Sequence, residues 1–145
     1  MSEKLQISYI ELYDCNDNNY YLEFINLNDL DKIPADKKLR ISAITFRTKY
    51  FNINFFDISR VNFERWTIFM NNIKKNKNDY IDFCNLNGNV SIGYNSYKKC
   101  IFFEVSKYGG EGDGCICTEY NVELCMDALN EICRVYEKIE KISNK

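Results

Sequence analysis

Histidine is missing from all 145 residues of this chain. That side chain is the usual general acid–base, the commonest metal ligand and the only one whose unperturbed pKa lies near neutrality. Any catalysis would have to run on carboxylates, cysteines or lysines, and no nucleophile–base pair is visible among them. Long apolar runs are also missing, since none approaches the roughly 18–20 residues that span a bilayer. The opening residues, Met1-Ser2-Glu3-Lys4, lead into polar sequence with no signal-peptide core. These two absences predict a cytoplasmic protein with no membrane partner. Seven cysteines form no regular framework, and their odd number argues against a secreted disulfide scaffold. A dominant charge is lacking as well. The net charge is −2, whereas a duplex nucleic-acid binder carries a basic excess or a concentrated basic face. Lys37-Lys38-Arg40, Lys74-Lys75-Lys77 and Lys98-Lys99 are short groups at the ends of expected elements, where solvated lysines are ordinary. Proline occurs once, at Pro34.

What is present suffices for a core. The chain is 46% hydrophobic and 15% aromatic, and a domain of this size buries roughly 68–70% of its unfolded surface. A single domain over residues 1–145 is expected. Two segments have helical periodicity. Cys125, Ala128, Leu129, Ile132, Val135, Tyr136 and Ile139 make one apolar stripe, with Asn121 as the N-cap, and predict a helix over about 121–141. Phe63, Trp66, Phe69, Met70 and Ile73 make a second, beginning at Ser59 or Asn62, with Trp66 expected to anchor the helix on a sheet.

The remainder reads as strand: Leu5–Tyr13, Tyr20–Leu27, Leu39–Arg47, Tyr50–Phe56, Tyr80–Leu86, Asn89–Tyr94, Lys99–Ser106 and Cys115–Tyr120. Phe51, Ile53 and Phe55 alternate with Asn52 and Asn54, the period-2 signature of a half-buried strand. Asn87-Gly88 between apolar alternations predicts a tight hairpin centred on those two residues. The expectation is an α+β fold: a mostly antiparallel sheet of about eight strands in ββββ-α-ββββ-α order, with two amphipathic helices packed on it.

Candidate chemistry is sparse. Gly109-Gly110-Glu111-Gly112-Asp113-Gly114 is glycine-rich, but it carries two carboxylates, lacks Lys, Ser or Thr, and runs into a strand rather than a helix. That does not suit a phosphate loop. Its likeness to a calcium repeat is a single copy with the aspartate one place early. Cys115 and Cys117 share a strand face, yet a zinc site would need two more thiolates from Cys15, Cys84, Cys100, Cys125 or Cys133 with no Cys-x-x-Cys knuckle. Core packing is the ordinary role of free cysteine. Cys100 follows Lys98 and Lys99 but sits in an apolar strand, and the acidic pairs Asp79/Asp82 and Glu111/Asp113 define no pocket. The reading is no catalytic residue, no metal and no cofactor.

In element order the segment from about Leu39 to Ile139 resembles small bacterial immunity-type proteins, which neutralise polymorphic toxins. The residues that carry the resemblance are the Phe63/Trp66/Met70 stripe, the hairpin strands Ile81–Tyr94 and Ile101–Tyr120, and the closing helix Leu124–Ile139. They determine fold, so the resemblance transfers no contact residue. Ample core, no catalytic set, mild acidity and several long loops suit one rigid surface contacting one partner, so the reading is a non-enzymatic inhibitor or sequestering factor, either a bacterial immunity protein or a phage or viral anti-defence protein, whose partner is a toxin or defence effector. Candidate contact residues are Tyr97, Tyr108, Glu111 and Asp113, because exposed tyrosine beside charge makes a good interface anchor. The alternative is a nucleic-acid accessory module using Arg40, Arg47 and Lys49 beside Tyr50.

Overall fold

In the computed structural model the described residues are 4–17, 21–24, 31, 33, 35–50, 52–56, 58, 60–85, 88–107 and 114–143. Their alternating strands close two separate sheets. In the first, β1 (Gln6–Asp14), β2 (Tyr21–Phe24), β3 (Leu39–Arg47) and β4 (Asn52–Phe56) lie in the order β2-β1-β3-β4. Helix α1 (Phe63–Lys74) follows. The second sheet is a meander of β5 (Asp79–Asn85), β6 (Gly88–Asn95), β7 (Cys100–Lys107) and β8 (Gly114–Asn121). A short 3-10 turn at Val122–Leu124 leads into α2 (Met126–Ser143). All neighbouring strand pairs are antiparallel.

The α+β class and the two helices match the sequence expectation; the single sheet does not. β4 and β5 are not hydrogen-bonded to each other, and α1 lies between them in the chain. The inner faces meet instead through aromatic rings. Phe46 and Phe55 of the first sheet reach Phe103 and Phe83 of the second, with centroids 5.6 Å apart for Phe46–Phe103 and 4.7 Å for Phe55–Phe83. Aromatic side chains bury more area per residue than aliphatic ones, so four rings suffice to join two half-buried surfaces.

Two bulges decide which residues of the first sheet face inward. In β3, Ala43 pairs with Glu11 and Ile41 with Leu12, which leaves Ser42 as an extra residue. The inward set therefore switches from Leu39 and Ile41 to Ile44 and Phe46, all buried. The same happens in β1 around Ser8, where Ile7 pairs with Phe46 and Tyr9 with Thr45. Without these insertions a nine-residue strand with this sequence would turn half its apolar residues to solvent.

The helices complete the core. Asn62 caps α1, its side chain accepting from the Arg65 N–H at 2.9 Å. At the far end Asn76 takes the left-handed conformation with φ 54°, a C-terminal stop that asparagine tolerates. Trp66 was expected to anchor this helix on a sheet. Its principal described partners lie on the helices: the Phe69 ring at 5.7 Å, the Tyr136 ring at 6.0 Å, and the Leu129 carbonyl, which accepts from the indole N–H at 3.4 Å. The second helix also starts later than expected. Asn121 caps only the 3-10 turn, and the α-helix begins at Met126. The Leu5 N–H donates to the Leu124 carbonyl at 2.9 Å, so this turn is used to tie down the start of β1.

Candidate functional site: the solvent face of the second sheet

Ile81 and Phe83 of β5, Ile92 and Tyr94 of β6, and Ile101 and Phe103 of β7 all point into the core. Their sequence neighbours must then point out. The strand register sorts these outward residues into two adjacent rows that cross the sheet. One row is Asp82, Ser91, Glu104 and Cys117; the next is Tyr80, Gly93, Phe102 and Glu119. Three of the eight are carboxylic acids, two are aromatic and none is lysine or arginine. Neither helix is packed over them, because both helices bury their apolar stripes in the common core.

The glycine gives this face its relief. A Cβ added at Gly93 would lie 2.6 Å from Phe102 Cε2, 2.5 Å from Cε1, and nearer still to Cζ. The Phe102 ring thus lies flat across the strand where a side chain would otherwise stand, an aromatic cover over a bare backbone. Tyr80, directly across from Gly93 and 58% exposed, stands on the other side. Beside them a groove of about 390 Å3 is lined by Asn78, Asp79, Tyr80, Tyr94, Asn95 and Phe102.

The groove has a rigid wall at β5. Arg65 of α1 grips the Asp79 carboxylate with both terminal nitrogens, at 3.0 and 2.8 Å, and donates to the Tyr80 carbonyl at 2.6 Å. Asn72 donates to the same carboxylate at 3.0 Å. Burial pushes the Asp79 carboxyl up, but Arg65, Asn72 and the Tyr80 N–H together hold it below its ordinary value. Asp79 is consequently occupied in joining α1 to β5. Asp82 and Glu119 are the exposed acids; the Ser91 hydroxyl donates to Asp82, and Lys98 reaches Glu119 at 3.2 Å from the margin of the face.

Tyr97 lies on the turn between β6 and β7 and is 93% exposed, held by Asn95, whose side-chain oxygen accepts from the Tyr97 and Lys98 N–H groups at 3.0 and 3.1 Å. Tyr108, Glu111 and Asp113 lie outside the described residues. The residues that bracket them, Lys107 and Gly114, pair with each other at the opposite end of β7 from Tyr97. Eight strand residues separate the two ends, roughly 25 Å at the usual rise. Tyr97 and the Lys107–Gly114 pair therefore stand at opposite ends of β7. The expected hairpin centre also shifts: Asn85 pairs with Gly88, which puts Gly88 in β6 rather than in the turn.

Arg40 and Arg47 both face outward on β3, because the Ser42 bulge restores the phase between them. Arg40 lies near the start of the strand, donating from Nε to Cys15 Sγ at 3.2 Å, and Arg47 closes it, donating to Gln6 Oε1 at 2.9 Å. Lys49 stands over the Tyr50 ring at 5.4 Å. Glu11 and Glu23, directly opposed across β1 and β2, share that outer face. Glu11 accepts from Tyr9 at 2.8 Å and from Ser42 at 2.7 Å. Burial, then hydrogen bonds to Glu11 and Glu23, raise the Tyr9 phenol above its normal value. This is a mixed-sign polar surface whose groups engage one another.

A second hollow of about 220 Å3 lies between the start of β3, the start of α1 and the second half of α2. Leu39, Ile41, Val61 and Ile139 form its apolar floor, with Lys38, Arg40 and Glu140 at the rim. Among the described residues no group of three or more Cys, Asp or Glu could hold a metal ion. Cys125 is buried, and burial followed by the proximity of Cys100 pushes its thiol up to about 12. No helix among the described residues is long and apolar enough to cross a membrane.

The outward residues of each single strand could have been read from the sequence. Tyr80-Ile81-Asp82-Phe83 alternates cleanly, and Phe102 is an aromatic out of phase with Ile101 and Phe103. What could not be read was that Phe102 lies opposite Gly93, because register is a property of the paired strands.

Residues 50–131 match a family of unknown function (DUF5766), and the matched stretch is more than half of the chain. The chain belongs to that family. No curated protein and no solved structure gives a significant match. The stretch shared with the family contains both rows of the second sheet and the groove, whereas Arg40, Arg47 and Lys49 precede it.

Proposed function

We propose that the chain, as a member of this family of unknown function, is a non-enzymatic protein-binding factor that inhibits or sequesters a macromolecular partner. Its contact surface is the solvent face of the second sheet. The observation that supports this most directly is the pair of adjacent rows that sets two aromatics, Tyr80 and Phe102, among three acids, Asp82, Glu104 and Glu119, on a face that neither helix covers. Interfaces gain most of their energy from a few aromatic or arginine anchors surrounded by polar groups that exclude water, and this face has that composition. Such a role is also what the resemblance to immunity-type proteins implies: a bacterial immunity protein, or a phage or viral factor opposing host defence. Tyr97, 93% exposed, lies on the turn that joins β6 and β7, two strands of this face.

The nucleic-acid reading draws less support. Arg40 and Arg47 are separated by most of a nine-residue strand and interleaved with Glu11 and Glu23, so the backbone-tracking basic groove of a single-strand binder has no counterpart there.

The test is affinity recovery of the tagged protein from its source cells, in parallel with a Tyr80→Ala/Glu119→Lys variant of matched thermal stability. A stoichiometric partner that the native chain retains and the variant loses supports the reading. Repeated recovery of the native chain alone, at low and physiological salt, overturns it.

A further inference from the structure

We infer that the groove between Tyr80 and Phe102 receives a guanidinium side chain, an arginine presented by a basic surface of the protein partner. This rests on the protein-binding reading above and identifies the chemistry of its central contact. Three features of the molecule converge on it. First, the groove, at about 390 Å3, lies against Phe102 and Tyr80, whose rings supply the π faces on which a planar cation stacks. Second, Gly93 carries no side chain, which lets the Phe102 ring lie over its bare backbone in the row it shares with Tyr80. Third, the two rows themselves are acidic: Asp82, Glu104 and Glu119 occupy them and none of the eight outward positions is basic, with Lys98 reaching Glu119 from the margin.

Arginine fits better than lysine for a geometric reason. Its donors are fixed in a plane, so it can stack on a ring and still direct N–H groups sideways to carbonyls and carboxylates. Asn78, Asp79 and Asn95 line the groove together with Tyr80 and Phe102, so polar groups stand beside the rings. A lysine ammonium would gain the Coulombic attraction but not the stacking. The three acids would raise the encounter rate with a cationic surface and make it fall with salt.

The test needs no knowledge of the partner. An oligo-arginine peptide, an oligo-lysine peptide of equal length and an oligo-glutamate peptide are titrated into the isotope-labelled chain, with backbone amide and aromatic signals followed by NMR. Oligo-arginine is expected to move the signals of Tyr80, Gly93 and Phe102 and to bind more tightly than oligo-lysine, while oligo-glutamate moves none of them. Tyr80→Ala should weaken oligo-arginine binding by about 3- to 30-fold, the range of a desolvated cation–π contact. Asp82→Asn/Glu119→Gln, two exposed and structurally mild changes, should flatten its salt dependence while the rings still stack. The inference is overturned if oligo-lysine binds as well as oligo-arginine, or if the perturbed signals map to Glu11 and Glu23 on the first sheet. A partner recovered from cells that binds Tyr80→Ala undiminished also removes it, while leaving a protein-binding role standing. Peptide binding at the groove with no cellular partner keeps the site and removes that role.

Discussion

Gly93 and Phe102 offer the sharpest test of the second sheet's geometry. In Gly93→Ala the new methyl would start 2.5–2.6 Å from two Phe102 ring carbons, against the 3.5–4.0 Å of a comfortable carbon contact. The ring must withdraw by about 1 Å or more. It is the end of a side chain with two torsions, so it can swing outward without moving β7, but it then gives up its contact with the strand. Overpacking of this kind costs about 1–3 kcal/mol. Alanine recovers part of this, because glycine in a strand is worse than alanine by roughly 0.5–1 kcal/mol. The expected net loss is about 1–2 kcal/mol, or roughly 2–8 °C in Tm for a domain of this size. In a Phe102→Ala background the same substitution meets no ring and should be neutral or stabilising by up to about 1 kcal/mol. Urea unfolding of the four chains, with equal m-values, gives the coupling energy as the non-additivity of the cycle. A value of about 1–3 kcal/mol is expected. If Gly93→Ala costs the same in both backgrounds, within about 0.5 kcal/mol, the ring does not cover the glycine and the described groove is wrong.

Three further outcomes follow from the packing and the titrating groups. Trp66→Ala, which empties the contact between α1 and α2 and removes the indole bond to the Leu129 carbonyl, should lower stability by about 3–5 kcal/mol in denaturant titration; a loss below about 1 kcal/mol would contradict a fully buried site. Asp79 has a depressed carboxyl pKa, so its stabilisation is complete above its ordinary value of 3.8 and is lost as pH falls through the lower folded-state value. Asp79→Asn should therefore cost about 1–2 kcal/mol at neutral pH, allowing for the partial exposure of Arg65, and the penalty should shrink in acid; an equal penalty at every pH would exclude the ion pair as its source. Cys125, with its thiol pushed up to about 12, should resist alkylation in the native state, whereas exposed Cys117 reacts, as read by mass mapping of iodoacetamide adducts. Equal labelling of both would show that the core around α2 opens readily.

The helices were legible because each carries its own signal. The apolar stripe from Trp66 to Ile73 and the one from Cys125 to Ile139 repeat at the helical period, and a local stripe needs no knowledge of its partner. The start of α2 was misread for an equally local reason. Asn121 is a good cap, but tertiary contact diverts the chain into a 3-10 turn: the Leu124 carbonyl accepts from Leu5, at the other end of the sequence. The rows of the second sheet are not singled out by the sequence, because the outward faces of strands resemble ordinary alternation until the strands are paired.

By itself the sequence determined the class of the molecule, the two buried helical stripes and the inward or outward sense of residues within each uninterrupted run, since all of these depend on spacing along one segment. Only the tertiary structure decided that the strands divide into two sheets, that bulges at Ser8 and Ser42 turn Ile44 and Phe46 into the core, and that Tyr80, Gly93 and Phe102 lie side by side. Those are matters of register and of packing between distant segments. A shift of one residue reverses every side chain on a strand, and the free energy that prevents the shift comes from the rings meeting across the core rather than from any one strand's own residues.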